Sequence, residues 1–300
     1  MSAPQWRIER GSAAYPARLL DLDRPERPAL LHGAGRPEAL ASLATAPAVT
    51  IVGSRQASGY GLRIAERLAR DLAAAGIPVV SGMARGIDAA AHRGAMKAGG
   101  RTLAVLGGGV LNVFPPEHKG LAEEIVACGA VMSESPPLFA PLSGSFPQRN
   151  RIISGLSLGT IVVEAPERSG ALITARLAME QNREIFAVPG RVDSRTARGC
   201  HALIRDGAKL VETADDVLEE LGPLVEQVSR SDGQVVRNPA ELSLNEIEQI
   251  VLAAIDTEAT PIDRVITEVG LPVPQVLATI SVLETRRLVR RLSGSSVARA

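Results

Sequence analysis

Apolar and polar positions alternate regularly through the middle of the chain. From Val49 onwards, short apolar runs take turns with amphipathic stretches: VTIVG, GLRIAERLARDLAAAG, PVVSG, IDAAAHRGAMKAG, RTLAVLGGG, and later TIVVEA, SGALITARLAMEQN and EIFAVPG. Brief apolar strands separated by helices are typical of right-handed βαβ units, which build a parallel sheet covered on both faces. The pattern predicts an α/β domain over residues 49–221 with a doubly wound, mainly parallel sheet.

Different patterns flank this domain on either side. Residues 1–48 are rich in Pro, Arg and Ala, and their X-Pro pairs predict an irregular N-terminal leader that ends in a short helix. Residues 222–241 have the small and charged composition of a linker. Residues 242–300 show three short helical patterns and then LVRRLSGSSVARA, which has the pattern of a β-wing. This order predicts a small C-terminal winged-helix domain.

Composition and charge narrow the class of protein. Hydrophobic residues make up 45% of the 300 residues and aromatic residues 2%, so we expect a core of Ala, Val, Leu and Ile. Lys plus Arg and Asp plus Glu balance at 33 each, so any nucleic-acid contact must be a local patch. Cys128 and Cys200 are isolated, which indicates a reducing compartment and argues against a disulfide framework or a zinc site. Without a recognisable signal peptide or membrane-spanning run, we expect a cytoplasmic protein with no membrane partner.

Small residues follow nearly every predicted strand. They fall at Gly53-Ser54, Ser81-Gly82, Gly107-Gly108-Gly109 and Pro189-Gly190. In an open α/β sheet, ligands bind outside the carboxyl ends of the strands, where backbone N–H groups and helix N-termini attract anions. Taken singly, each glycine is explained as well by ending a strand or capping a helix. Together they favour an anion-binding floor.

Arginines strengthen the anion interpretation. Four of them accompany the strand-end turns: Arg55, Arg85, Arg149 and Arg151. Guanidinium groups are permanently charged, forked donors that suit phosphate oxygens. The alternative for each is a solvated charge or an ion pair with a carboxylate such as Asp88 or Glu164. As a group they favour a phosphate-bearing ligand.

Several catalytic signatures are absent from the sequence. There is no GxxxxGK[ST] loop, and the first turn, GSRQASGYG, is not GxGxxG, so nucleotide hydrolysis and ordinary dinucleotide binding lose support. Asp88 and His92 share a helical face, but we interpret them as a helix-start aspartate and a packed histidine. Glu134 and Glu164 stand at strand ends without an assignable catalytic role. We predict no catalytic residue, no metal and no cofactor.

The ordered motifs together resemble one family. VGSRQASGYG, SGMARGIDAAAH, TLAVLGGG, SES, FPQRNRIISGLS, VVEA, SGALITARLA, VPG and GCHALIRDGA resemble the DprA/Smf family nearly motif for motif, from Tyr15 to Leu221. The resemblance implies an extended Rossmann-like domain that binds single-stranded DNA, dimerises and helps to load RecA during natural transformation.

Carried over by position, the resemblance implies a DNA-binding pocket. Its candidates are Gly53, Ser54, Arg55, Gly82, Arg85, Gly86, Arg149, Asn150, Arg151, Ser169, Gly170 and Thr174. The chain departs from the family at Leu111 and Phe114-Pro115, where relatives usually have a Gly-Leu-Asp turn and a Tyr-Pro pair. The leader is also too short for the helical N-terminal domain of many relatives.

We therefore expect a non-enzymatic, homodimeric recombination mediator that binds single-stranded DNA, protects incoming DNA and helps to load RecA. Tyr60, Phe114 and Phe146 are candidates for base stacking, with core packing as the alternative for at least one of them. A second hypothesis is a nucleotide-binding or nucleotide-processing Rossmann-like enzyme, in which Glu134 or Glu164 supplies the acid or base.

A third hypothesis makes the C-terminal domain a sequence-specific reader of duplex DNA. Its candidate recognition helix offers Gln275, Thr279 and Ser281 as polar probes and ends in Glu284. Base reading usually depends on Arg, Lys, Asn or Gln, so this helix is a poor reader. A basic group follows it, and these residues are suited to phosphates or a protein partner: Arg286, Arg287, Arg290 and Arg291.

Overall fold

The computed structural model describes residues 4–38, 47–225, 244–256, 259–285, 288–292 and 295–299. A nine-stranded sheet has the order β1-β2-β6-β5-β4-β3-β7-β8-β9. Its strands are β1 (Gln5–Glu9), β2 (Leu30–Gly35), β3 (Val49–Val52), β4 (Val79–Ser81), β5 (Thr102–Val105), β6 (Ala130–Ser133), β7 (Gly159–Val162), β8 (Glu184–Ala187) and β9 (Lys209–Leu210). The pairs β1–β2 and β2–β6 are antiparallel, and the other pairs are parallel.

Helices cover both faces of this sheet. They are α1 (Gly59–Ala74), α2 (Ile87–Lys97), α3 (Lys119–Cys128), α4 (Ser145–Gly155), α5 (Gly170–Glu180), α6 (Arg198–Arg205) and α7 (Ala214–Val225), with 3-10 turns at Ala17–Leu20, Arg24–Glu26 and Pro116–His118. Val49 and Ile51 of β3 belong to the apolar cluster formed with α1, α2 and α7, whereas Val52 belongs to the cluster on the opposite face. Each central strand is thus buried on both sides, which explains its continuous apolar run. The predicted doubly wound, mainly parallel α/β fold is confirmed.

The sheet extends into the segment predicted as an irregular leader. β1 pairs with β2, and β2 pairs with β6, at the antiparallel edge. Along β1 the alternation is weak because Ile8 is its one buried residue, and β2 includes two glycines within LLHGAG. β2 owes its strand structure to pairing with β6, and β1 owes its strand structure to pairing with β2, rather than to a local apolar pattern. The short helix predicted before Val49 lies largely outside the described residues.

The predicted linker begins later than its composition suggested. Helix α7 continues through Gly222-Pro223 to Val225, because Leu218 and Leu221 are buried in the core formed with α1. The remainder of the predicted linker, from residue 226, lies outside the described residues. Cys200 is a buried free thiol, and burial raises its pKa to about 12.

The C-terminal part forms a winged helix, as predicted. Its elements are α8 (Glu246–Ala253), β10 (Thr260–Pro261), α9 (Ile262–Val269), α10 (Val273–Thr285), β11 (Val289–Leu292) and β12 (Ser296–Arg299). The antiparallel strands have the order β10-β12-β11, and the β11–β12 pair is the wing. Asn245 and Glu248 form a capping box at the start of α8. This domain has its own apolar core, which includes Val251, Val265 and Ile280.

In the described ranges, no single helix has both the length and the apolar character needed to cross a membrane. The pair α9 and α10 meets that test together by length and composition only, and it is bent by 117°.

Candidate functional site

A cavity of about 570 Å³ opens at the carboxyl ends of β3 and β7. These strands are neighbours in the sheet, yet the chain goes from β3 to β4 on the other side before it returns to β7. A reversal of this kind is where open α/β sheets bind their ligands. The cavity is lined by the turn after β3, the loop before α2, the start of α4 and the loop into α5.

Most of the predicted site residues meet at this cavity. Those that line it are Gly53, Ser54, Arg55, Arg85, Arg149, Asn150, Ser169, Gly170 and Thr174. Gly82, Gly86 and Arg151 are not among the lining residues. Gln56, Phe146 and Arg168 also line the cavity, although they are not among the pocket candidates predicted from the sequence.

Two of the predicted glycines bring neighbouring turns into close contact. Gly86 has φ of +76°, and a Cβ atom there would lie 2.2 Å from the carbonyl oxygen of Ser54. A Cβ atom on Gly53 would lie 2.5 Å from Cγ1 of Ile87. The amide of Ile87 donates to the Ser54 carbonyl at 3.3 Å. Packing between the turns after β3 and β4 therefore explains these glycines, and ligand binding is not needed to account for them.

Arg149 is a buried arginine that holds the turn after β4. Its side chain donates to the carbonyl oxygens of Gly82, at 2.7 Å, and of Val105. The Asp88 carboxylate accepts the amides of Gly82 and Ala84 at 3.1 and 3.2 Å. Burial lowers the pKa of Arg149 to about 10, against the effect of nearby Asp88. Arg149 thus stays charged at neutral pH, and its Nε is buried without a partner in the described part of the chain.

Arg151 is held by an ion pair away from the cavity. It donates to both carboxylate oxygens of Glu134 at 2.8 Å, and its Nε donates to the Glu26 carbonyl at 2.8 Å. Both contacts to Glu134 come from the Nη2 atom, and these charge-assisted bonds together with the Nε bond hold the guanidinium in place. The geometry therefore matches the ion-pair alternative for Arg151. The same ion pair engages both oxygens of the Glu134 carboxylate.

Three exposed arginines border the cavity: Arg55, Arg85 and Arg168. Arg85 forms a surface ion pair with Glu117, which a ligand can replace at little cost. The Arg55 guanidinium lies 5.5 Å from the ring centroid of Phe146, a cation–π arrangement. Arg168 directly precedes Ser169, which caps α5. That position, between a strand end and a helix start, is the signal by which sequence analysis could have found it.

The start of α5 adds oriented polar groups to the cavity. The Ser169 hydroxyl accepts the Ala171 amide at 3.3 Å, and the Thr174 hydroxyl donates to the Gly170 carbonyl at 3.5 Å. The first N–H groups of a helix and its dipole favour anions. Ser169 and Thr174 therefore shape this end, while cap and backbone use part of their hydrogen-bonding capacity.

The candidate acids and bases are engaged in structural contacts. Glu164 accepts the amide and hydroxyl of Ser58 at 2.8 and 2.5 Å. The Nδ1 atom of His92 lies 2.7 Å from the Thr102 hydroxyl, and burial lowers the pKa of His92 to about 3. Asp88 is in the first turn of α2, as interpreted from sequence, and burial raises its pKa. Across the described ranges, no group of three His, Cys, Asp or Glu residues could hold a metal ion.

The fold and cavity define a class: an α/β domain with a basic cavity at its switch point, followed by a winged helix. A family model for DNA recombination-mediator protein A matches residues 6–222, and one for the DprA winged helix domain matches residues 236–295. The chain belongs to the DprA/Smf family.

Its relatives cover most of its length. Protein Smf of Escherichia coli is 38% identical over 291 residues, which covers 97% of this chain and 76% of that protein. DNA processing protein DprA of Bacillus subtilis is 41% identical over 214 residues, covering 71% and 70%.

Two solved structures are also similar. DNA processing protein A from Streptococcus pneumoniae has 40% identity and a TM-score of 0.67, covering 73% of this chain and 75% of that one. DNA processing protein A from Helicobacter pylori, which has a unique single-stranded DNA binding mode, has 27% identity and a TM-score of 0.65, covering 73% and 96%.

Proposed function

We propose that this chain is a non-enzymatic DNA-processing protein that binds single-stranded DNA in the cavity between β3 and β7. One observation carries the proposal: four arginines line the cavity, Arg55, Arg85, Arg149 and Arg168, against one carboxylate, Asp88. Arginine is the side chain best suited to phosphate oxygens. The chain as a whole has no net charge, so this excess of positive charge is local.

The shape of the cavity favours a single strand over a duplex. A concave site bordered by close-packed turns admits a splayed phosphate and base, whereas a rigid double helix presents its backbone from a convex surface. Phe146 lines the cavity, and aromatic side chains in such grooves stack with the bases of single strands. The single-stranded DNA binding mode of the Helicobacter pylori relative supports the same choice.

Family membership supports a proposal for the cellular role. We propose that the protein acts as a cytoplasmic homodimer that protects incoming DNA and helps to load RecA during natural transformation. The match to a DNA recombination-mediator model supports this role. The individual contributions of Gly53, Ser54, Asn150, Ser169, Gly170 and Thr174 to DNA contact belong to the same proposal.

A competition titration tests the proposal. We expect labelled oligo-dT bound to the full chain to be displaced by unlabelled oligo-dT at lower concentration than by duplex of equal length, at one fixed salt concentration. Equal or tighter binding to duplex would contradict the proposal. A parallel hydrolysis assay with nucleoside triphosphates tests the enzyme hypothesis. We expect no hydrolysis, because Glu134 is paired with Arg151 and Glu164 accepts hydrogen bonds from Ser58.

A further inference from the structure

Two phenylalanines form a row of aromatic rings that leads out of the cavity. Phe146 lines the cavity, and its ring centroid lies 5.6 Å from that of Phe114, with the ring planes at 48°. The guanidinium of Arg55 lies on the cavity side, 5.5 Å from the centroid of Phe146. A cation and two rings thus follow one another from the cavity to its rim. We infer that the single strand leaves the cavity along this row, with one base on Phe146 and the next on Phe114.

The partly exposed ring of Phe114 is suited to contact with a bound ligand. Its side chain is 42% exposed, whereas Phe186 is completely buried in the sheet core. The chain is poor in aromatic residues, so most of its burial is achieved by aliphatic side chains. An aromatic ring that contacts a second ring and remains accessible is suited to a planar ligand, because stacking needs a free π-face.

Hydrogen bonds fix the loop that carries Phe114. The amides of Gly109 and Leu111 donate to the carbonyls of Phe139 and Pro137 at 2.9 and 2.8 Å. A Cβ atom on Gly109 would lie 2.2 Å from the Pro136 carbonyl oxygen, so glycine permits this approach. The ring is therefore presented on a preorganised surface, which lowers the entropic cost of binding.

A turn beyond Phe114 is tied to the floor of the site. The amide of His118 donates to the Pro115 carbonyl at 3.0 Å. The buried ring of His118 places its Nδ1 atom 2.9 Å from the Met83 carbonyl, in the turn after β4. The rim that carries Phe114 and the turn that borders the cavity are consequently one connected structure.

The row favours nucleobases over an apolar protein segment. The neighbouring loops do expose Leu138 and Leu142, which by themselves would suit a protein partner. Phe114, however, contacts Phe146, and Phe146 contacts a cation of the phosphate cavity. Alternation of cationic groups and rings is how proteins hold single strands without reading sequence. This inference rests on the proposed function. It adds the path by which the strand leaves the cavity and a second base-stacking position.

An abasic scan tests the inference with the full chain. A single abasic site is moved along oligo-dT, and binding is measured for the wild type, Phe114→Leu, Phe114→Tyr and Leu111→Ala. Leucine keeps the apolar volume without a π-face, and tyrosine restores the ring. Leu111 is 37% exposed on the same loop and serves as the matched control.

We expect two adjacent abasic positions to weaken wild-type binding. Phe114→Leu should weaken binding to intact oligo-dT about tenfold and abolish the penalty at the outer position, in line with the energy of stacking one base. Phe114→Tyr and Leu111→Ala should keep both penalties. The inference is overturned if Phe114→Leu binds like the wild type, or if Leu111→Ala loses as much, which would indicate a general apolar surface for a protein. A wild type that binds no oligo-dT refutes the proposed function itself.

Discussion

The cavity between β3 and β7 and the outer face of α10 differ in chemistry. Open α/β sheets bind ligands at a switch point like the first, and winged helices read DNA with a helix in the place of the second. The cavity is lined by four arginines, three of them exposed and one held in the interior. Helix α10 contains no lysine or arginine, and it exposes Val273, Leu277 and Val282. Positive charge is concentrated where phosphates would enter the sheet domain.

The comparison shows how a chain without net charge can gather arginines around one cavity. Buried Arg149 joins the turn after β4 to the end of β5 through the carbonyls of Gly82 and Val105, and this frame holds the turn from which Arg85 projects. Around the winged helix, Arg291 instead pairs with Glu284 at 3.0 Å. Arg286 and Arg287 lie outside the described residues. The two surfaces therefore differ in the number of arginines and also in the buried Arg149 contacts that fix the backbone around the cavity.

The largest expected effect concerns that frame. Arg149→Met leaves two carbonyl oxygens without their donor and Asp88 without its nearest countercharge. We expect the free energy of unfolding to fall by about 3–5 kcal/mol, as when one partner of a buried charged network is removed. Urea unfolding measures this, with Arg168→Met as the exposed control. Equal stability of the two variants would show that Arg149 does not hold the frame.

The second expected effect is a loss of folding stability at acid pH that belongs to the sheet domain and not to the winged helix. Burial depresses the pKa of His92 to about 3, below its unfolded value, so its contribution to stability is present above pH 6.5 and is lost as the pH falls towards 3. Between pH 7 and pH 4.5 we expect the wild type to lose about 2–3 kcal/mol more than His92→Gln. All four histidines precede residue 242, so this acid sensitivity belongs to the sheet domain. Identical pH profiles for both proteins would refute the assignment.

The smallest expected effect comes from removing the winged helix. Deletion of residues 242–300 removes a domain whose apolar core is separate from the cores of the sheet domain. We expect the affinity for oligo-dT to change by about 0.5 kcal/mol or less, as for distant and independent sites. Loss of nearly all affinity, with the sheet domain still folded by circular dichroism, would mean that the winged helix carries the binding.

The sequence predicted the central sheet well because burial on both faces leaves an unbroken apolar run, as in the VTIV segment of β3. It did not predict β1 and β2, because an edge strand with one buried residue and a strand with two glycines lack that pattern. Their strand structure depends on pairing between segments far apart in the chain.

The place of the candidate cavity could be predicted from the sequence, but the contacts of each arginine could not. Strand-end turns and the switch point bring Arg55 and Arg85 to the cavity. Whether an arginine is free or enclosed depends on distant partners, such as Glu134 for Arg151. The composition and spacing of the sequence do not show which residues those partners are.

The most direct test of the account compares Arg55→Ala with Arg101→Ala in a salt titration of oligo-dT binding. Arg55 borders the cavity at the carboxyl ends of the strands, whereas Arg101 is exposed just before β5, at the amino end of that strand. Both changes remove one exposed positive charge. We expect Arg55→Ala to weaken binding by about 1–3 kcal/mol and to reduce the salt slope by about 0.7, with little change in melting temperature. We expect Arg101→Ala to leave affinity and slope unchanged. Equal effects of the two variants, or an early-melting Arg55→Ala whose folded fraction binds normally, would contradict the account.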